Sequence, residues 1–456
     1  MKKDVSRRAF LQHASTLSIA GTAAPFVINL ASIGEASATN ASDYKAIVCI
    51  FLYGGNDYAN TLIPADQANY NDYYIQRPRL AYSKASLANT LLYPTFSGGL
   101  QFALAPELSP LLPIWNSGKL ATILNLGTLV QPTSKSSYQK NRNLPPKLLS
   151  HNDQQSYWQS SSPEGASTGW GGRIGDLLMA GNNNAALSCV NVSGNAVFLT
   201  GQAAIQYSVT PFGGIPLKAR SQLQGSRQAG ALLTSLIQTP VNHILETQLT
   251  KVNARALNLY DAFSTAIANA PSIKTIFPPA TDPQSSLGSQ LKEVAKMISV
   301  SSQLGLKRQV FFVSTSRFDT HDGLATLHPI LLQNLAEAMR AFYDTTVELG
   351  ISNNVTTFTA SDFGRALTAN NDGSDHGWGG HHFVMGGAVK GGRFYGSPPA
   401  LANNGPDDIG QGRLIPTTSV DQYAATIASW MGVTQSDMST ILPNIGNFST
   451  KNLGFV

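Results

Sequence analysis

An α/β chain with a doubly wound, mostly parallel sheet and helices on both faces is predicted by three observations. Short apolar or β-branched runs recur at 46–52, 120–126, 310–313 and 355–359, which is how strands covered on both faces read. Amphipathic segments of helical length lie between several of them, and strand alternating with helix implies parallel pairing. Polar clusters rich in Asp, His and Gly follow three of the runs, as loops at the carboxyl edge of such a sheet do.

The first strand, 46–52, ends at Gly54-Gly55-Asn56-Asp57. Leu108, Leu111, Leu112, Ile114 and Trp115 have a helical stagger within 104–118, and 120–126 is the next strand. Residues 192–227 are polar and glycine-rich, and 241–268 is predicted as one long helix. The span 192–285 is expected to form a mixed insertion or cap over the sheet, returning through a loop at 271–286. A helix at 286–304 and the strand 310–313 follow. Pro329 suits the first turn of a helix at 329–349, whose apolar face is Leu331, Leu335, Met339, Phe342 and Val347. The strand 355–359 comes next, then a Gly/Pro/Asn/Asp-rich loop at 397–418 and a closing helix at 420–431.

The 456 residues fit one elaborated domain, 39–456, behind a leader at 1–38. Ser6-Arg7-Arg8-Ala9-Phe10-Leu11, a moderately apolar stretch and Ala36-Ser37-Ala38 make a twin-arginine export signal, so a periplasmic or secreted protein is expected. Removing residues 1–38 takes away Lys2, Lys3, Arg7 and Arg8 against Asp4 and Glu35, lowering the formal charge from +5 to +3. No nucleic-acid partner is expected from that balance. No later segment reaches the roughly 18 to 20 uninterrupted apolar residues of a membrane span. Cys49 and Cys189 each fall inside an apolar run and read as buried small hydrophobes, a disulfide requiring adjacent strands. Neither has C-x-x-C spacing, and no haem or dinucleotide motif supports a redox protein.

Chemistry concentrates where the runs end. Asp57, Asp319, His321 and Asp362 each follow a strand within a few residues, and His376 lies in the glycine-rich stretch after Asp362. Together they make an oxygen and nitrogen ligand set for a divalent metal ion: zinc, manganese or iron, or calcium or magnesium if fewer imidazoles take part. Each residue also has a structural alternative. Asn56-Asp57 could form a turn, Asp319 and His321 a capping loop, Asp362 a brace for Arg365, and His376 a pair with Asp375. His381 and His382 read as loop residues outside the ligand set. Ser150 and His151 open a helix whose backbone donors could hold an anion, or Ser150 could be a simple N-cap. Arg365 or Arg173 could grip an anion's free oxygens.

These motifs resemble the bacterial domain-of-unknown-function 1501 family over nearly the whole chain. The landmarks are Gly54-Gly55-Asn56-Asp57 with Asn60 and Pro64, Ser150-His151 with Gln155 and Trp158, Asp319-Thr320-His321, Ser361-Asp362-Phe363-Gly364-Arg365, Asp375-His376-Gly377, Gly386-Gly387 and Lys390-Gly391-Gly392. That family is remotely similar to the alkaline phosphatase and sulfatase superfamily, which implies an alkaline-phosphatase-like fold. The resemblance implies metal ligation by Asp57, Asp319, His321, Asp362 and His376, with Ser150 or His151 near the nucleophile. Phe363 stands where the superfamily usually has a histidine after the late-strand aspartate, which implies one metal rather than two. Neither cysteine lies in C-x-P-x-R, which excludes a formylglycine sulfatase. The expected function is a metal-dependent hydrolase of a small phosphate or sulfate ester, or of a sulfated or phosphorylated polymer. The alternative is a non-catalytic binding or assembly protein on a degenerate phosphatase-like fold, with 192–285 as its partner surface.

Overall fold

The computed structural model of the chain describes residues 43–95, 99–239, 244–279 and 286–456. The expected export signal at 1–38 lies outside the described residues. So do 241–243 of the predicted long helix and 280–285 of the returning loop.

The apolar runs are strands of one mixed ten-stranded sheet. Counting its members alone, β1 is Lys45–Leu52, β2 Leu120–Gly127, β3 Cys189–Asn191, β4 Tyr207–Thr210, β5 Gly213–Gly214, β6 Arg308–Thr315, β7 Val355–Ser361, β8 Gly380–Gly386, β9 Arg393–Tyr395 and β10 Thr418–Ser419. Their spatial order is β9-β2-β8-β7-β1-β6-β3-β4-β5, with β10 also paired to β2. The strands from β7 to β4 run parallel, while β8 is antiparallel to both β7 and β2. The main helices are α1 Gln67–Gln76, α2 His151–Ser160, α3 Trp170–Leu178, α4 Arg227–Gln238, α5 Ile244–Ala268, α6 Leu287–Ser299, α7 Leu324–Glu348 and α8 Val420–Met431.

Side chains alternate across a strand, and β1 divides accordingly between two cores. Ala46, Val48, Ile50 and Leu52 join the core that holds Leu291 of α6 and Leu335 of α7. Ile47, Cys49 and Phe51 join the one that holds Trp158 of α2, Ile174 of α3 and Tyr423 of α8. This is the doubly wound architecture expected, and it explains why β1 reads as continuously apolar.

Several elements differ from expectation. The stagger in 104–118 is a 3-10 stretch, Pro106–Leu111, followed by a short α-helix, Leu112–Asn116, because Pro110 and Pro113 interrupt a regular hydrogen-bond ladder. Pro329 lies inside α7 rather than in its first turn. The turn ahead of it is anchored by Leu324 and His328, both fully buried, and that tertiary burial outweighs the proline's local cost. Part of the predicted insertion belongs to the sheet itself, since β4 pairs in parallel with β3. Cys49 and Cys189 are free and buried. β6 separates β1 from β3, so the two cysteine strands stand about 9 to 10 Å apart, beyond the reach of a disulfide.

Candidate functional site

Register brings three strand ends to one level. Leu52 of β1 pairs with Ser361 of β7 on one side and Thr315 of β6 on the other. Asp362 therefore emerges beside the Gly54–Asp57 turn, and Asp319 emerges four residues past Thr315. Gly54 and Gly55 have φ of +114° and +85°, a region open to glycine at little cost. A Cβ on Gly54 would collide with the backbone at Asp319, and one on Gly55 with the Phe363 ring. The glycines thus let the strand-end loops approach each other closely.

The glycine-rich stretch after Asp362 contains a hairpin of Arg365–Ala369 and Ser374–His376 and leads into β8. Arg365 pairs in register with His376. Alanine and aspartate are poor strand signals and the strands are short, so the pairing was invisible in composition. Arg365 is fully buried: its guanidinium donates to the Ser374 carbonyl, to Gly54 O at 3.0 Å and to Asp319 Oδ1 at 2.7 Å. It positions Asp319 and has its donors engaged by the protein. Arg173 is likewise spent on the carbonyls of Ser160, Thr168 and Ile441.

His151, Asp319 and His376 converge, each offering an atom within 4.8 Å of the others'. His151 Nε2 lies 3.4 Å from Asp319 Oδ2, and His376 Nε2 lies 3.5 Å from Asp319 Oδ1. His321 borders them, its Nε2 being 2.9 Å from His376 Nε2 and 3.1 Å from Asp319 Oδ1. The outer ring nitrogens face acceptors. His151 Nδ1 is 2.6 Å from Asp362 Oδ2, His376 Nδ1 is 2.7 Å from Leu149 O, and His321 Nδ1 is 3.5 Å from Asp375 Oδ1. A carbonyl requires a proton on the facing nitrogen, and a carboxylate favours one. In the neutral rings this leaves the Nε2 lone pairs of His151 and His376 directed toward Asp319, while His321 faces a carboxylate from each of its nitrogens. His151 Nε2 is buried and makes no hydrogen bond.

Asp362 lies behind this group. It is fully buried, and its Oδ2 also accepts from Gln155 Nε2 at 2.9 Å and the Gly54 amide at 3.1 Å. Its hydrogen bond to His151 raises that imidazole's pKa against the opposing effect of burial. Burial lowers the pKa of His376. Burial pushes the Asp319 carboxyl up, but the hydrogen bond and charge of Arg365, with the nearby imidazoles, hold it below its ordinary value.

Asp57 takes no part in the converging group. Its Oδ2 accepts from Arg77 at 2.7 Å and its Oδ1 from the Ala59 amide, with both ion-pair side chains fully buried. The Ser150 hydroxyl donates to Asp153 at 2.9 Å. It sits at the N-cap of α2 without a side-chain cap bond. His381 and His382 are buried within β8, where burial depresses both to about 3. Two participants carried no sequence signal. Arg77 follows a polar helix, and His328 lies in α7 with its Nε2 3.0 Å from Asn56 Oδ1. A cavity of about 820 Å³ opens at the carboxyl end of β6, with Ser193, Ser314, Ser316, Arg317 and Asn334 in its lining.

No helix among the described residues is long and apolar enough to cross a membrane. No curated protein matches the chain. Among solved structures, it is similar to the PsFucS1 sulfatase from Pseudoalteromonas sp. at 11% identity, covering 91% of this chain and 73% of that one, with a TM-score of 0.36. It is similar to the soluble domain of lipooligosaccharide phosphoethanolamine transferase A from Neisseria meningitidis at 8% identity, covering 88% and 93%, with a TM-score of 0.34. A phosphonate monoester hydrolase from Silicibacter pomeroyi is 8% identical over 86% and 73%, with a TM-score of 0.32. The model of the family described as a protein of unknown function, DUF1501, matches residues 44–444, and the chain belongs to that family.

Proposed function

We propose that this chain is an exported metal-dependent hydrolase of phosphate or sulfate esters, in which His151, Asp319 and His376 hold one divalent cation. The observation that carries this reading is the convergence of imidazole lone pairs on Asp319, with each outer nitrogen tied back to an acceptor. Two sp² nitrogens 2.9 Å apart, those of His321 and His376, require a cation or a shared proton between them. An imidazole-rich set with one carboxylate suits zinc, manganese or iron better than calcium or magnesium. A cation held there would supply Lewis-acid polarisation of an ester oxygen.

The protein's own groups account for the rest. Asp362, fixed by Gln155 and the Gly54 amide, holds His151 in one tautomer. His321 is the most open imidazole of this group, its side chain 42% exposed, and with Asp375 behind it this ring is the group to exchange a proton with a leaving alcohol. Arg365 orients Asp319. With the Ser150 hydroxyl turned to Asp153, water rather than serine is the assigned nucleophile. Export by the twin-arginine route rests on Arg7-Arg8 and Ala36-Ser37-Ala38.

The binding-only alternative is favoured by one observation: Asp57, a ligand in the expected set, is closed off by Arg77. Elemental analysis of protein purified without chelators, alongside His151→Ala and His376→Ala, tests the metal centre. About one equivalent of a transition metal, lost in both variants, is expected. Turnover of aryl phosphate or sulfate by the loaded wild type alone then separates the two readings. A folded wild type that takes up no added metal overturns the metal centre, and a loaded protein inert to both ester classes leaves the binding reading.

A further inference from the structure

A second feature lies away from the metal centre. Nine of the fifteen large apolar side chains exposed among the described residues fall between Ile205 and Val252. The span 205–268 holding them is about a seventh of the chain. In α5, Leu245, Leu249 and Val252 follow helical spacing i, i+4, i+7 on one face and are 71%, 60% and 59% exposed. Leu232 and Leu236 do the same one turn apart on α4, both 71% exposed. The C-terminal half of α5 behaves differently. Leu257, Phe263 and Ala266 are buried, and Phe263 packs on Tyr207 of β4. The helix is therefore rooted in the body by one half, while the other half presents leucines with α4 packed beside it.

The same span carries Lys218, Arg220, Arg227, Lys251 and Arg255 against Glu246 and Asp261. Residues 39–456 have 27 basic and 24 acidic side chains once Lys2, Lys3, Arg7, Arg8, Asp4 and Glu35 are set aside. That net charge of +3 equals the excess of five basic over two acidic groups in this span, so the remainder is balanced. Arg220 pairs with Asp261, while Lys218, Arg227, Lys251 and Arg255 are exposed. A face that combines exposed apolar side chains with an excess of cations is repelled by a second copy of itself. It matches a surface that is apolar within and anionic outside.

We propose that α4 and the N-terminal half of α5 dock the protein onto an anionic lipid bilayer, with the leucines entering the interface and Lys218, Arg227, Lys251 and Arg255 meeting headgroup phosphates. The test is co-sedimentation of the full chain with phosphatidylcholine vesicles and with vesicles that also contain phosphatidylglycerol, at low and high salt. Size-exclusion chromatography with light scattering is run on the same protein. The expected result is binding to the anionic vesicles alone, weakened by salt. It should fall roughly fivefold for each charge removed in Lys251→Gln and Arg255→Gln, and be lost in a Leu232→Ser, Leu236→Ser, Leu249→Ser variant. All substituted side chains are exposed, so an unchanged melting temperature certifies each variant. Absence of binding, or equal binding to neutral vesicles, overturns the proposal. A wild-type dimer that becomes monomeric in the leucine variant, without vesicle binding, assigns the face to a second copy instead.

Discussion

Two polar clusters lie at the carboxyl edge of β1, built from the same residue types, and they are finished in opposite ways. Around Asp57 the charges are matched within the protein. Arg77 donates to the carboxylate, to Asn60 and to the Leu367 and Ala366 carbonyls, and His328 closes the other side through Asn56. Around Asp319 the carboxylate and imidazole side chains are 25% to 43% exposed, and the buried Arg365 answers only one carboxylate oxygen. An aspartate after a strand is therefore no guide by itself to metal binding. What decides is how completely the protein's own donors enclose it: Arg77 and Asp57 are both fully buried, whereas Arg365 answers one oxygen of an aspartate that stays 43% exposed.

The largest expected effect breaks the closed cluster. Arg77→Met should strand a buried carboxylate and cost about 3–5 kcal/mol, read by urea unfolding, whereas His376→Ala at the open cluster should leave the midpoint nearly unchanged. Equal losses would dissolve the distinction. The next effect is in pH. Burial depresses His328 to about 4 from an ordinary 6.5, so between those values the unfolded chain takes up a proton that the native one refuses. Stability is then intact above pH 6.5 and falls as the pH drops toward 4, by roughly 3 kcal/mol in all. In His328→Gln that part of the acid-side slope should vanish, and a slope identical to wild type would contradict the burial argument. The smallest effect concerns support. Asp362→Asn should keep the fold and weaken metal uptake by about 10- to 100-fold, measured by competition with a chelating dye. An undiminished affinity would make Asp362 a bystander.

The sheet was legible because strands covered on both faces are rich in apolar and β-branched residues, as β1, β2, β6 and β7 are. Asp319, His321, Asp362 and His376 were legible for the complementary reason, as charged and imidazole groups gathered among glycines at strand ends. Arg77 was not. Its role depends on Asp57 being 20 residues earlier in sequence yet 2.7 Å away in space, a relation no local pattern encodes. His151 had been weighed for catalysis with Ser150, but its pairing to Asp362 spans 211 residues. The first turn of α7 was missed because Pro329 argues locally for a helix start, while the burial of Leu324 and His328 extends the helix ahead of it. The antiparallel β8 was hidden by the glycines and histidines that open it.

The two free cysteines have a practical consequence. Each is about 1% exposed, on strands that flank β6 near the centre of the sheet. Burial raises both thiol pKa values, so neither reacts from the native state at neutral pH. Alkylation must then wait until the central strands part, which makes the labelling rate of this unmodified chain a clock for opening of its core, separate from any loss of activity at the rim.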